Sequence, residues 1–282
     1  MLSERENKPL DYLMIGHLTI DRTPGGASLG GTALYSALTA RAMGMDVAIL
    51  TSWGEELDFS ILQDIDLVNI RTSKSTTFEN ISTESGRLQR IFRTASSINP
   101  DQIPPEWKTA KIVHLGPVAQ EISYGVIDEF NSSFIAVTPQ GWMRDWDQDG
   151  WVKSAGWQQF GEVLPRVEAA VISMEDVGGD ENILAEMASI CPALAVTEGA
   201  EGVRMYWNGD VRRFKPPNVE SVDTTGAGDI FAAALFCRLY ATRDPWGAAR
   251  FANNLAAYSV TRTGTLSIPT ESEIKKSMVE IL

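Results

Sequence analysis

Short apolar runs, each bounded by polar or turn-forming residues, recur along the whole chain. Their brevity and nearly continuous apolar character are typical of strands that are buried on both faces, as in a parallel sheet covered by helices. We predict six such strands: Tyr12 to Ile15, Val47 to Leu50, Ile112 to Leu115, Phe134 to Val137, Ala169 to Ile172 and Leu194 to Val196.

Segments with helical spacing of apolar residues lie between several of these strands. The residues from Thr32 to Met43 keep this spacing, and Gly44 follows in the position that commonly ends a helix. The stretches from Gln120 to Phe130 and from Asn182 to Ala188 repeat the pattern. Strands that alternate with helices predict an α/β fold, here a three-layer α/β/α sandwich around a mostly parallel sheet. Ligands in such folds bind beyond the carboxyl ends of the strands.

Two regions break this alternation. The stretches from Leu67 to Ile81 and from Leu88 to Thr94 mix polar and apolar residues in a strand-like way, which predicts an antiparallel β-flap exposed on one face. We therefore expect one domain over residues 1–282 with a small lid formed by roughly residues 67–94. The segment from Met205 to Phe214 contains Asn208-Gly209, a strong signal for a two-residue hairpin.

Composition narrows the classes of partner. The formal net charge of the 282 residues is -13, which opposes binding to nucleic acid or to an anionic membrane. No apolar run is long enough to span a bilayer, and the segment from Met1 to Pro9 is charged where a secretory signal is apolar, so we expect a cytoplasmic protein. The two cysteines have no metal-binding spacing. A small-molecule ligand is the remaining expectation.

The segment from Asp223 to Asp229, DTTGAGD, is the most informative part of the sequence, and an apolar helix from Ile230 to Tyr240 follows it. Gly226 and Gly228 allow the backbone to approach an anion, and the first turn of the helix offers unpaired N–H groups. A carboxylate at Asp229 would repel a bound phosphate, but it can remove a proton from an attacking hydroxyl. Taken alone, the segment equally fits a glycine-rich loop that caps a helix.

This segment resembles the signature of the PfkB family of carbohydrate kinases, the ribokinase type, and four other segments resemble the same family in the same order. They are Gly16 to Asp21 (GHLTID), the pair Gly30-Gly31, Thr197 to Gly202 (TEGAEG), and Arg250 to Asn253 running on to the stretch from Val260 to Gly264. Five matches in one order, across nearly the whole chain, are far more specific than any single one.

The resemblance implies a ribokinase-like kinase that moves the γ-phosphate of ATP to a hydroxyl of a small sugar or sugar-like polyol. It implies Mg²⁺ as a cofactor and leaves room for a monovalent cation. By resemblance, Asp229 is the base, and the backbone of Gly226, Ala227 and Gly228 stabilises the transferred phosphoryl group. The acceptor substrate would be bound by Asp21, Gly30 and Gly31. The nucleotide would be bound by Thr197, Gly199, Gly202, Thr225 and Asn253.

Three features depart from the family pattern. Tyr35 stands where the family often has an asparagine that holds the sugar. Only eight residues separate Asp21 from Gly30, which predicts a less complete closure over the substrate. The stretch from Ser173 to Asp176 (SMED) stands where the family has Asn-x-x-Glu near magnesium. Glu175 and Asp176 can still organise a water-coordinated Mg²⁺, and which of them does so stays open.

Other readings fit the sequence less well or stay open. The chain lacks the GxGxxG of dinucleotide-dependent dehydrogenases and the GxxxxGK[ST] of P-loop enzymes. A nucleoside kinase of the same fold and a catalytically degenerate ligand-binding member stay open, as does the choice between monomer and homodimer. His17 and His114 follow or end strands at the expected binding edge, where a structural hydrogen-bonding role is the favoured interpretation. Arg144 fits either a substrate contact or a surface ion pair.

Overall fold

The computed structural model describes residues 9–23, 26–54, 59–83 and 86–278. The charged segment before Pro9, on which the expectation of a cytoplasmic protein rests, lies outside these described residues. The strands are β1 Tyr12–Ile15, β2 Thr19–Thr23, β3 Gly26–Gly30, β4 Val47–Thr51, β5 Asp66–Asn69, β6 Thr76–Thr83, β7 Gly86–Arg93, β8 Ile112–Leu115, β9 Phe134–Val137, β10 Arg144–Trp146, β11 Val152–Ser154, β12 Ala169–Ser173, β13 Ala193–Thr197, β14 Val203–Trp207 and β15 Asp210–Phe214. The α-helices are α1 Thr32–Ala42, α2 Phe160–Val163, α3 Glu181–Ile190, α4 Ala227–Thr242, α5 Pro245–Ser259 and α6 Glu271–Met278.

The described residues form a nine-stranded main sheet in the order β15-β14-β13-β12-β9-β8-β1-β4-β5. All neighbouring strands from β13 to β5 are parallel, whereas β14 and β15 are antiparallel to their neighbours. All six predicted strands are present in this sheet, and several have the predicted limits. Their side chains are buried on both faces, which is why the sequence shows continuous apolar runs rather than alternation.

Two apolar layers enclose the main sheet and confirm the predicted three-layer architecture. Helices α1, α4 and α5 pack on one face, and α3 with several short 3₁₀ segments covers the other. Helix α4 is buried on nearly all sides, because every residue from Ile230 to Cys237 is at most 1 % exposed. Its sequence is correspondingly apolar all round, as expected of a core helix. No helix of the described residues is long and apolar enough to cross a membrane.

A second, four-stranded sheet, here called the small sheet, has the strand order β3-β2-β6-β7. It differs from the flap predicted over residues 67–94 in two ways. Strand β5 pairs with β4 in the main sheet, because Leu67 and Val68 pack into the apolar layers on its two faces. The hairpin β6–β7 is instead completed by β2 and β3, which contain Asp21 and Gly30 and make up most of the short stretch between them.

Two local predictions had different outcomes. The Asn208-Gly209 hairpin is confirmed, and both residues have positive φ angles of 50° and 81°. The helix predicted from Gln120 to Phe130 is wrong, since only a 3₁₀ helix over Tyr124–Glu129 forms there. Gln120 has φ 60°, which no right-handed helix allows. Glu121 turns back to accept backbone N–H groups and so leaves the helical path.

Candidate active site

A cleft of about 710 Å³ lies at the carboxyl ends of the parallel strands. Its lining includes most of the site residues predicted from the sequence: Asp21, Gly31, Glu175, Thr197, Gly199, Gly202, Thr225, Gly226, Ala227, Gly228, Asp229 and Asn253. Gly30 and Asp176 are not part of this lining. Residues from six separate segments of the sequence therefore converge on one space.

The loop before α4 is fixed by one carboxylate, that of Asp223. One oxygen accepts the N–H of Thr225 at 2.9 Å, and the other accepts the N–H of Gly264 at 3.3 Å. The backbone N–H groups of Val222 and Asp223 both donate to the carbonyl of Val260. These bonds tie the loop to the end of α5, so that its shape does not depend on a bound ligand.

The loop enters helix α4 through Gly226, which has a left-handed conformation with φ 78° and ψ -4°. Among the described residues no side chain caps this helix start, and a Cβ atom at Gly228 would meet open space. The first turn of α4 and the positive end of its dipole therefore face the cleft, an arrangement that suits an anion. The N–H of Ala227 in this turn also donates to the carbonyl of Thr224 at 3.2 Å. Asp229 lies in the same first turn, half-buried, with its carbonyl oxygen accepting a hydrogen bond from Ser36.

The loop from Thr197 to Gly202 forms the wall of the cleft beside strand β13. Gly202 has φ 97°, and a Cβ atom there would lie 2.1 Å from the carbonyl oxygen of Phe214, so only glycine fits. Glu198 pairs with the buried guanidinium of Arg204 at 2.9 Å, and Arg204 also binds Glu181 of α3. The loop is thus held by both a close backbone approach and an internal ion pair.

Asn253 of α5 closes this side of the cleft. Its side-chain amide donates to the carbonyl of Phe214 at 3.1 Å, which ties α5 to the end of β15. The segment that follows β15 also lines the cleft, together with small residues of α5. These lining residues were not predicted from the sequence: Lys215, Pro216, Pro217, Asn218, Val219, Ser221, Ala256 and Ala257.

The small sheet forms the opposite end of the cleft and carries Asp21 on strand β2. Thr19 donates to a carboxylate oxygen of Asp21 at 3.2 Å. Gly30 lies on the neighbouring strand, where a Cβ atom would be 2.2 Å from the other oxygen of Asp21. Gly30 therefore makes room for the Asp21 carboxylate rather than lining the cleft itself. The neighbouring Gly31 does line the cleft and begins helix α1 with φ 91°.

Three further cleft residues come from the hairpin β6–β7. Phe78 and Asn80 lie two residues apart on β6, so they share one face of the strand, and Gln89 lies opposite Asn80 on β7. The Gln89 amide donates to the Asn80 side-chain oxygen at 2.8 Å. Arg144 also lines the cleft, with its guanidinium 5.9 Å from the Phe78 ring centroid. For Phe78, Asn80 and Gln89, the period-two placement along the strands was the only sequence signal, whereas Arg144 had been considered as a substrate contact.

The two histidines lie outside the cleft lining, as favoured from the sequence. His114 is fully buried between Tyr12 and Thr138, with ring nitrogens 2.7 and 2.9 Å from their hydroxyl oxygens. Burial lowers the pKa of His114 to about 3, so the ring is neutral at physiological pH. His17 is likewise fully buried and hydrogen-bonded through both ring nitrogens.

Comparisons with known proteins bear on this site. Residues 169–272, which include the loops at 197–202 and 223–229, match the model of the pfkB family carbohydrate kinase. The chain is 26% identical over 250 residues to a cytidine kinase of Thermococcus kodakarensis, covering 79% of this chain and 86% of that protein. It is 24% identical over 287 residues to a probable fructokinase-4 of Arabidopsis thaliana, covering 90% and 87%.

The predicted resemblance to the PfkB family is confirmed by these matches. The chain is a phosphotransferase of the carbohydrate-kinase type. A pyrophosphate-dependent kinase in the ribokinase family, solved with a pyrophosphate analog and myo-inositol, superposes with a TM-score of 0.77 at 19% identity, over 94% of this chain and 99% of that one. This superposition confirms the predicted ribokinase-like fold.

Tyr35, which stands where PfkB proteins often have an asparagine, lies directly against the loop before α4. A Cβ atom at Gly226 would be 2.4 Å from Cδ1 of the Tyr35 ring. The ring is 4 % exposed and packs from helix α1 onto the turn that begins α4. Tyr35 thus supports the shape of the loop and lines the cleft at the same time.

The two acids in the position of the PfkB Asn-x-x-Glu motif are placed differently. Glu175 lines the cleft, whereas Asp176 is turned inward. Asp176 accepts the N–H of Ser173 at 2.9 Å and the side-chain amide of Gln140 at 3.4 Å, and burial raises the pKa of its carboxyl group. Among the described residues, no three His, Cys, Asp or Glu side chains cluster as a metal cage.

We predict opposite effects for alanine at the two PfkB signature glycines. Gly226→Ala should lower the free energy of unfolding by more than about 1 kcal/mol, because φ is positive and the Tyr35 ring blocks the new methyl group. Gly228→Ala should leave stability unchanged or raised, since Gly228 lies inside the helix with open space beside it. Thermal melts of both variants test this, and equal melting temperatures would contradict the geometry described for the loop.

Proposed function

We propose that this protein transfers the γ-phosphoryl group of ATP to a hydroxyl of a small sugar or sugar-like polyol. The observation that carries the proposal is the meeting of two features in one cleft. The uncapped start of α4 presents N–H groups that suit a phosphoryl group, and Asp229 lies in the same turn as a proton acceptor. The two ends of the cleft differ in polarity, which suits two different ligands.

The end of the cleft between the loop at 197–202 and helix α5 suits a nucleotide base. Its side chains are mostly small and apolar, and they leave a slot of the kind that holds a flat ring: Ala200, Pro216, Pro217, Val219, Ala256, Ala257 and Val260. Arg144 and Lys215 are the only cations among the described lining residues. Inorganic pyrophosphate has no apolar part to fill such a slot, so the lining favours ATP as donor.

The end of the cleft at the small sheet suits a ring that carries hydroxyls on several sides. Polar side chains reach it from β2, from the hairpin β6–β7 and from the segment after β9: Asp21, Asn80, Gln89, Gln140 and Arg144. Phe78 adds one apolar ring face. Carboxylate, amide and guanidinium groups together match the donors and acceptors of neighbouring hydroxyls, which supports a polyol acceptor.

The residues at the start of α4 have two different roles in the proposed reaction. Asp229 accepts the proton of the acceptor hydroxyl. The oxygen of that hydroxyl bonds to the γ-phosphorus, while the bond from the γ-phosphorus to the bridging oxygen of ADP breaks. The N–H groups of Gly226, Ala227 and Gly228 donate to the transferred phosphoryl oxygens, where negative charge accumulates. The fold fixes these three groups in position, and the N–H of Ala227, which donates to the carbonyl of Thr224 at 3.2 Å, exchanges that bond for one to the phosphoryl group.

Magnesium would be held at this site by Glu175 together with the phosphates of ATP and water. This arrangement suits an ion that keeps several waters and needs few protein ligands. When bound, Mg²⁺ supplies neutralisation of the phosphate charge. Lys215, an exposed cation on the donor side of the lining, would add to that neutralisation.

A nucleoside kinase of the same fold is the second candidate. It is favoured by the similarity to a cytidine kinase over most of the chain and by Phe78, whose ring could stack on a base. The Arg144 guanidinium lies over one face of the Phe78 ring, 5.9 Å from its centroid, which leaves less room for a base to stack there. The polyol reading is therefore the main proposal.

A matrix of donors and acceptors tests both assignments. ATP, GTP and pyrophosphate would each be combined with a panel of hexoses, pentoses, cyclitols and nucleosides, and phosphorylated product would be measured by mass spectrometry. We expect transfer from ATP to a sugar or cyclitol. Transfer from pyrophosphate alone would contradict the donor assignment, and transfer to a nucleoside alone would contradict the acceptor assignment.

Asp229→Asn should keep the fold but lose most phosphoryl transfer. Asparagine has the same size and leaves the N–H groups of the loop in place, but it cannot accept a proton, a role worth on the order of 10²- to 10⁴-fold in rate. Single-turnover transfer and a thermal melt are the measurements. Asp244→Asn is the matched control, because Asp244 caps the start of α5 away from the cleft. Transfer by Asp229→Asn at the parental rate would show that Asp229 is a structural residue.

Asn80→Leu should raise the KM for a polyol acceptor by about three- to tenfold and leave the ATP affinity unchanged. The change removes a hydrogen-bonding group at the acceptor end, and one such bond is worth about 0.5–1.5 kcal/mol. Glu79→Gln is the control, since Glu79 lies one residue earlier and thus on the other face of β6. An unchanged acceptor KM would argue against the small sheet as the acceptor-binding end.

A further inference from the structure

A fully buried histidine lies at the joint between the two sheets. His17 follows strand β1 of the main sheet, and Thr19 begins β2 of the small sheet. The side chain of His17 is not part of the cleft lining, so the chemistry proposed for the cleft does not use it. Its role follows from the segments that it connects.

The two ring nitrogens of His17 bond to the start of the hairpin β6–β7 and to the segment that follows it. Nε2 lies 2.9 Å from the carbonyl oxygen of Ser96, which can only accept, so Nε2 carries a proton. Nδ1 lies 2.7 Å from the hydroxyl of Thr76, and that same hydroxyl accepts the N–H of Ala95 at 2.9 Å. In the neutral ring the Thr76 hydroxyl therefore donates to Nδ1, and both ring nitrogens and the hydroxyl have partners in this hydrogen-bond network.

These bonds join the two ends of one hairpin. Thr76 is the first residue of β6, and Ala95 and Ser96 follow shortly after β7 ends at Arg93. The segments that lead into and out of the hairpin β6–β7 are therefore tied to the main sheet through the imidazole of His17.

The backbone of His17 is anchored in turn. Its N–H donates to the buried carboxylate of Glu121, which also accepts the N–H groups of Val118 and Ala119 beyond the end of β8. Its carbonyl oxygen lies 2.8 Å from the position of a Cβ atom on Gly31, where the chain leaves the small sheet for helix α1. Within the described residues, His17 thus lies against three segments that connect the two sheets. They are the start of β6, the stretch after β7 and the start of α1 at Gly31.

We propose that His17 is a positioning residue that fixes the small sheet, and with it the acceptor end of the cleft, relative to Asp229. The small sheet carries Asp21, Asn80 and Gln89, whereas Asp229 and the loop at 197–202 belong to the main-sheet body. A loosened joint would displace the acceptor side chains but not the donor side. The assignment of acceptor and donor to these two ends rests on the proposed function.

Thr76→Val tests the proposal, because it removes the hydroxyl at nearly unchanged shape and leaves His17 in place. We expect kcat/KM for the acceptor to fall about tenfold, with the dissociation constant for ATP unchanged within about twofold. Thr76→Ser, which restores a hydroxyl, should recover the acceptor kinetics. His17→Gln keeps a donor for the Ser96 carbonyl but not the acceptor for Thr76, and it should change the kinetics in the same direction as Thr76→Val.

The matched control is Thr138→Val. Its hydroxyl lies 2.9 Å from Nε2 of His114, the other fully buried histidine, in the core of the main sheet. Both variants remove a threonine hydroxyl from a buried histidine, so both should lower the melting temperature. Only Thr76→Val should also change the acceptor kinetics. Equal kinetics for the two variants, or an equal loss of ATP and acceptor affinity in Thr76→Val, would overturn the proposal.

Two readouts do not depend on catalysis and separate this inference from the proposed function. Amide hydrogen exchange over residues 76–96 should be faster in Thr76→Val and unchanged in Thr138→Val. The chain has two histidines, so ¹⁵N-histidine labelling gives two imidazole spectra, and Thr76→Val should change one while Thr138→Val changes the other. If exchange over 76–96 is the same in both variants, His17 does not hold the small sheet, whatever reaction the protein catalyses.

Discussion

The fixed start of helix α4 is the constraint on which the cleft depends. The helix is buried against the sheet and its neighbouring helices from Ile230 to Cys237, so it cannot rotate or slide without opening the core. Asp223 holds the preceding loop through N–H groups from two different segments. The backbone N–H groups at this helix start are therefore held in place by the packing of the core, which is the condition for electrostatic preorganisation.

The negative charge of the protein explains why fixed N–H groups matter in this cleft. The chain is strongly acidic, and the described cleft lining has more carboxylates than cations. A polyanionic donor would gain little from long-range attraction to such a protein. It must be held by short-range contacts, and only donors that are already in position can provide these without an additional entropic cost.

Sequence patterns predicted the main sheet and the glycine-rich turn before α4 well, because both follow local rules. Strands such as Phe134–Val137 are apolar on both faces, and the Gly226 turn needs a residue without a side chain. The small sheet was predicted only in part, since the pairing of β2 with β6 is a long-range contact that no local pattern encodes. For the same reason the sequence could not separate Glu175 from Asp176: adjacent residues differ in burial only through the fold around them, here through Ser173 and Gln140.

The interrupted topology of the small sheet also has a consequence for folding. Strands β2 and β3 precede helix α1, whereas β6 and β7 come after the edge strand β5, so the four strands cannot assemble as one local unit. Their pairing requires α1, β4 and β5 to be packed first, because these elements lie between β2 and β6 in the sequence. Bringing β2 and β6 together closes this long loop, which has an entropic cost. A late-forming element is also an early one to open. The partly folded species expected under mild denaturation is therefore a chain with an intact main sheet and an unpaired small sheet, which exposes the strand edges most prone to intermolecular pairing.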